Sequence, residues 1–107
     1  MAAAVILALT TEADAERAEA LAQQLLERRL AAYVALMPLT SLYRWQGAIE
    51  RSREVQLLIK GRADRLAELE AAVHSLHSYD TPEWIHWPAA ASAASASMMR
   101  ASQSSTR

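Results

Sequence analysis

The stretch Ala32-Tyr33-Val34-Ala35-Leu36-Met37-Pro38-Leu39-Thr40-Ser41-Leu42-Tyr43-Arg44-Trp45-Gln46-Gly47 decides the fold. Both halves around Pro38 are rich in β-branched, aromatic and aliphatic residues, so they read as strand. Proline in such a run marks a bulge or an edge strand, because it has no N–H for a ladder. Gln46-Gly47 is a turn signal. Ile49 then leads through Arg51-Ser52-Arg53 into Glu54-Val55-Gln56-Leu57-Leu58-Ile59-Lys60, a second strand with partial alternation. The two runs predict one long hairpin.

Outward from the hairpin, each side carries one helix and one further strand. Upstream, Ala3 to Leu9 is a short apolar run, which suggests a strand covered on both faces. Thr11 is placed to cap a helix, with Asp14 as the acid of a capping box. Ala18, Leu21, Ala22, Leu25 and Leu26 then recur at helical spacing, opposite Glu16, Arg17, Glu19, Gln23, Glu27 and Arg28. Downstream, Leu66, Leu69, Ala72, Val73 and Leu76 form the stripe of a helix from about Arg62 to Leu76, and Glu83 to Trp87 reads as a last short strand. The order βαββαβ, two βαβ-like halves around a hairpin, predicts a ferredoxin-like α+β sandwich. Right-handed crossovers put both helices on one face of an antiparallel sheet. The other face has nothing left in the chain to cover it, so a partner subunit is expected there. The whole of residues 1–107 reads as one domain with a core of about 3–88. From Pro88 on the composition falls to Ala, Ser and Met, which predicts a short helix near Ser95 to Ser102 with a frayed, dispensable end.

Composition narrows the function classes. The net charge is -1, with 52% hydrophobic and 21% charged residues, so no basic field exists to hold nucleic acid. There is no cysteine, which excludes disulfides and thiolate metal sites. The apolar start lacks a basic leader and is too short for a membrane span, which leads to the expectation of a cytoplasmic protein. Gly47 and Gly61 are the only glycines, too few for a phosphate-binding loop.

His77-Ser78-Tyr79-Asp80-Thr81-Pro82-Glu83 puts an imidazole, a phenol and two carboxylates on a turn stiffened by proline. His74 and His77 lie at i and i+3, where one helical face brings them near a single divalent ion such as copper or zinc. The alternative is that His77 merely ends the helix near its negative pole. Lys60, Tyr79 and Glu83, with His77, come from separate elements and form a candidate pocket for a small ligand between subunits. Tyr43 and Trp45 near the hairpin tip are candidate interface residues. Ser75 or Ser78 with His77 and Asp80 are too close in sequence to suggest a triad, since such groups usually meet through the fold. The chain reads as non-enzymatic, with no required cofactor.

The chain resembles the CutA family, named for divalent-cation tolerance. The matching blocks are Leu7-Ala8-Leu9-Thr10-Thr11, Glu27 to Val34, Thr40 to Gly47, Glu54 to Lys60 and His77 to Glu83, in the family's order and spacing. The resemblance implies a ferredoxin-like protomer in a tight homotrimer, similar in architecture to the PII signalling proteins; the small net charge and the short apolar start add the expectation of no nucleic acid or membrane partner. It implies a role in the response to divalent metal ions. The runner-up is a PII-like module that binds a small ligand at the subunit interface. Tyr33 stands where family members commonly have cysteine. In relatives credited with copper binding, the suggested ligands are a cysteine and a pair of histidines. Here the matching positions are Thr10, Leu76 and His77, so the resemblance implies weak copper binding at best.

Overall fold

The computed structural model describes residues 5–104. Its elements are β1 (Val5–Glu12), α1 (Ala15–Glu27), β2 (Tyr33–Trp45), β3 (Ala48–Arg62), a single 3-10 turn (Ala63–Arg65), α2 (Leu66–Leu76), β4 (Ile85–Ala89) and α3 (Ala93–Ser102). The strands form one four-stranded sheet in the order β2-β3-β1-β4. Every neighbouring pair is antiparallel. This is the ferredoxin-like arrangement expected from the order of elements.

The alternation in β3 sets the two faces. Val55, Leu57 and Ile59 are buried, and with Ile6 and Ala8 they meet Leu21 and Leu25 of α1 and Leu69 and Val73 of α2 in one core. Both helices therefore cover the same face. The opposite face carries two cross-strand rows, Tyr33–Lys60–Leu7–Trp87 and Ala35–Leu58–Leu9–Ile85, with Met37 beside Gln56. Met37 is 55% exposed, Ile85 49% and Trp87 37%.

The hairpin closes as the sequence suggests. Trp45 pairs with Ala48 across Gln46 and Gly47, which have φ of 49° and 82°. Two positive φ values match a type I′ turn, whose twist suits the flanking strands. Pro38 pairs with Val55 without a break in register, and β2 lies at the sheet edge. Of the two readings for this proline, the edge holds and the bulge does not. Pro88 likewise lies in an edge strand, β4.

Three expected boundaries are corrected. β1 runs on to Glu12, and the helix cap is Asp14, whose side chain accepts a hydrogen bond from the Arg17 N–H at 2.8 Å. Thr11 cannot cap because its hydroxyl is committed to Glu83. α2 proper starts at Leu66, after the 3-10 turn. β4 begins at Ile85, because Glu83 and Trp84 stay in the loop. Ala3 and Ala4 of the expected first strand lie outside the described residues.

α1 ends in a Schellman motif. The Leu30 N–H bonds to the Leu25 carbonyl at 2.9 Å and the Arg29 N–H to that of Leu26 at 3.0 Å. Arg29 takes the left-handed conformation, φ 57°, usually given to glycine at this position.

The segment after β4 docks on the sheet through Gln103, where the sequence reading has a frayed end beyond Ser102. α3, capped by Ser92, packs Ala96 and Met99 against Val5. Gln103 is 1% exposed. Its Oε1 accepts the Arg62 N–H at 2.8 Å and its Nε2 donates to the Arg29 carbonyl at 3.3 Å. Gly61 makes room for it, since a Cβ there would stand 3.1 Å from the Gln103 amide oxygen. One polar side chain thus ties the chain end to both the α1 terminus and β3, with no apolar stripe to announce it. Gln103→Ala strands a buried backbone donor, which costs about 1–3 kcal/mol. Chain truncated after Ala101 loses that bridge and is expected to melt several degrees lower. Calorimetry that finds an unchanged midpoint would show that water replaces the amide without loss.

Candidate functional site

The polar residues cluster where the end of β1, the base of the hairpin and the loop after α2 meet. β1 changes character at Thr10-Thr11-Glu12, and each of these side chains is used on the loop. The Thr10 hydroxyl donates to the Glu83 carbonyl at 2.7 Å, and the Thr11 hydroxyl to the Glu83 carboxylate at 2.9 Å. Glu12, 1% exposed, accepts from the Ser78 N–H at 3.0 Å, from the Ser78 hydroxyl, and from the Ala13 N–H at 3.2 Å. A buried carboxylate is tolerable when its oxygens are hydrogen-bonded in this way.

α2 stops at Leu76, and His77 is already extended at φ -69°, ψ 145°. Its imidazole is fully enclosed. Nδ1 accepts the Tyr79 N–H at 2.9 Å and lies 3.5 Å from Glu12. The bond from Tyr79 uses the Nδ1 lone pair, so the ring proton belongs on Nε2 and the approach to Glu12 is not an ion pair. Nε2 is buried and has no protein partner among the described residues. His74 points the other way. It is exposed, with Nδ1 2.9 Å from the Glu70 carbonyl and its ring edge-on to Trp84. The two histidines therefore do not share a helical face, because the helix ends between them. Among the described residues no group of three or more His, Asp or Glu is placed to hold a metal ion.

The loop then crosses to the open side of the sheet. The Tyr79 hydroxyl donates to Glu54 at 2.7 Å, and its ring rests on that of His77 with centroids 4.9 Å apart. Burial, then the Glu54 carboxylate, pushes the phenol above its ordinary value of 10.0. A raised acid keeps its neutral form, so the stability from this contact is complete below about pH 10 and is lost as pH climbs through the higher folded value. Glu54 and Glu83, with Glu50, Tyr43, Trp45 and Tyr79, line a cavity of about 910 Å³. The cavity is acidic and aromatic, with no basic residue among its lining.

Of the residues grouped from the sequence, Tyr79 and Glu83 line this cavity with Tyr43 and Trp45, whereas the enclosed His77 is not part of its lining. Nor is Lys60. Its ammonium sits 4.7 Å above the Tyr33 ring and faces a separate cavity beside α3. The sequence reading missed Glu12, Glu54 and Gln103. Glu54 was within reach, since it alternates onto the face opposite Val55 and Leu57. Glu12 was hidden by ending β1 too early, and Gln103 gave no signal.

A ferredoxin-like domain with an apolar sheet face covered only in part, by α3 at Val5, and a stiff polar loop bound to the end of β1 defines a class of small α+β proteins rather than a reaction. Within that class the family profile "CutA1 divalent ion tolerance protein" matches residues 6–100. The chain belongs to this family. It is 43% identical to the divalent-cation tolerance protein CutA of Yersinia pestis over 84 residues, 78% of this chain and 71% of that one. Among solved structures, CutA from Synechococcus elongatus superposes with a TM-score of 0.91 at 39% identity, covering 95% of this chain and 92% of that one. The protein from Archaeoglobus fulgidus superposes at 0.89 with 30% identity, covering 94% and 99%. That last relative is described as a periplasmic divalent cation tolerance protein, which overturns the cytoplasmic placement read from the sequence. Among the described residues no helix is long and apolar enough to cross a membrane. These relatives are named as tolerance proteins and not as enzymes.

Proposed function

We propose that the protein acts in the response to divalent metal ions as a non-enzymatic homotrimer, without serving as a high-affinity metal carrier. The observation that carries the assembly is the apolar sheet face opposite α1 and α2, of which α3 covers only the part around Val5, leaving Met37, Ile85 and Trp87 exposed. An exposed patch of this kind on a small protein marks an interaction site. Family membership supplies the link to divalent ions. His77 is a poor ligand because one ring nitrogen accepts a backbone N–H and the other is enclosed. His74 alone falls far short of the roughly four ligands of a closed site. Calorimetric titration of Cu²⁺ and Zn²⁺ tests this. Binding is expected to be weak, to fade as pH falls through the histidine range near ~6.5, and to survive His77→Ala. Tight binding lost in His77→Ala would restore the pair of histidines as the site.

A second reading is a PII-like module for a small ligand at the subunit interface. The acidic, aromatic cavity at Tyr43, Trp45, Tyr79 and Glu83 favours it, since it opens on the same side as the uncovered face. A panel of small ligands in the same calorimeter separates the two. Saturable heat that disappears in Tyr79→Phe would favour the module.

A further inference from the structure

The loop after α2 holds His77 in one protonation state, with the partner for the other state already beside it. The imidazole is enclosed within a single protomer, so assembly neither exposes nor covers it. In the neutral ring Nε2 carries the hydrogen, and the Nδ1 lone pair accepts the Tyr79 N–H at 2.9 Å. A second proton can enter only at Nδ1, since imidazolium has a hydrogen on each nitrogen. It would meet the Tyr79 N–H donor against donor across that same gap. Glu12 Oε2 stands 3.5 Å from Nδ1. A carboxylate offers about four acceptor sites. The Ser78 N–H, the Ser78 hydroxyl and the Ala13 N–H fill three of them, which leaves one for Nδ1–H.

The other charged and titratable groups around the ring do not compete for it. Among the described residues Glu12 is the only carboxylate in ion-pair reach. Within the loop, the Tyr79 ring rests on the imidazole with centroids 4.9 Å apart, Glu83 is held by Thr11, and Asp80 is exposed. Glu54 of β3 meets the Tyr79 hydroxyl and not the imidazole. His74 of α2 turns away to the Glu70 carbonyl and to Trp84.

We propose that His77 is a proton-operated switch for the loop 77–83, in which a proton taken from solvent at Nδ1 exchanges the Tyr79 amide for the Glu12 carboxylate. One neutral hydrogen bond is given up and one charge-assisted bond is formed, and the latter kind is roughly twice as strong. The change is therefore a rearrangement between two bonded states and not a melting of the loop. Ser78 stays on Glu12 in both. Tyr79 loses its backbone anchor in the charged state, and because its hydroxyl also holds Glu54, one wall of the acidic cavity is set free to move. The switch belongs to the protomer and rests on neither functional reading above.

The test is amide hydrogen exchange on the full chain in its solution assembly, at about pH 7.5 and about pH 5, which span the gain of a proton by imidazole. Rates are corrected for the intrinsic pH dependence of exchange. Protection of the Tyr79 amide is expected to fall roughly tenfold or more at the lower pH, as a local opening does, while the Ser78 amide keeps its own. His77→Asn is expected to hold Tyr79 equally protected at both, because a side-chain amide oxygen accepts the N–H and takes up no proton. In the parent, the ring resonances of His77 are expected to move with the same midpoint as those of the Tyr79 amide, with Nδ1 as the nitrogen that gains a hydrogen. Unchanged protection at Tyr79 overturns the proposal. A loss shared by Ser78, or one that persists in His77→Asn, assigns the effect to the carboxylates of Glu12, Glu54 or Glu83 and overturns it as well. Should His77→Asn fail to fold, the parent decides: a common midpoint upholds the switch, and separate midpoints for ring and amide refute it.

Discussion

Aspartate at both Met37 and Ile85 is expected to break the proposed trimer into folded monomers. Both side chains stand on the face opposite α1 and α2, outside the core that those helices bury, so the protomer keeps its interior. A trimer that buries this face would have to enclose an unpaired carboxylate at each position, or protonate it. The effective penalty for one such charge is several kcal/mol. Two on one patch, at roughly 6 kcal/mol together, correspond to a loss of about 10⁴ in association. Light scattering at micromolar concentration would read a monomer, and circular dichroism would still read the native mixture of helix and strand. Trp45→Ala, near the hairpin tip, is expected to weaken assembly more mildly by removing an aromatic anchor. A double variant that remains trimeric would show that the open face is not the interface.

The same face shows why the fold was readable and part of the site was not. Alternation in Glu54 to Lys60 assigns alternate residues to opposite faces whatever surrounds the sheet. The 3.6-residue spacing of Leu21, Ala22, Leu25 and Leu26 does the same for α1. Local periodicity carries this information, so a single sequence suffices. The side chains of the loop after α2 depend instead on partners far along the chain. Ser78 meets Glu12 across 66 residues, and Tyr79 meets Glu54 across 25. Nothing in the spacing of His77 to Glu83 names those partners. Thr10-Thr11-Glu12 misled for a related reason. Threonine and an acid before a helix resemble a cap, yet here both hydroxyls turn to Glu83 and the strand continues. His74 and His77 share a face only while the helix lasts, and it ends at Leu76. The composition of the last twenty or so residues, mostly Ala and Ser, concealed Gln103 because one buried amide leaves no pattern.

Glu12 is where these long-range contacts converge, and its removal is expected to have the largest effect of any single polar substitution. Glu12→Ala deprives the Ser78 amide and hydroxyl and the Ala13 amide of their acceptor at once. It also leaves a void beside Val55 and the enclosed His77 ring. Hydrogen bonds to a charged group are worth about 1.5–3 kcal/mol each, and they do not add fully when they share one carboxylate. A net loss of about 3 kcal/mol is expected, enough to lower Tm by 10 °C or more in a domain of this size. Glu12→Gln keeps the volume but turns one oxygen into a donor facing the donors of Ser78, so it should fall between the parent and Glu12→Ala. The damage should be concentrated in the loop. Without its tether, the turn that positions Tyr79 against Glu54 and Glu83 against Thr11 is held from one side only, and the acidic cavity loses a wall. Hydrogen exchange is expected to show the Ser78 and Tyr79 amides exposed in Glu12→Ala while the amides of β3 keep their order of protection. A variant that melts within a degree or two of the parent, with the Ser78 amide still protected, would mean that the loop is held by Pro82 and the threonine contacts alone and that Glu12 is a passenger in its own network.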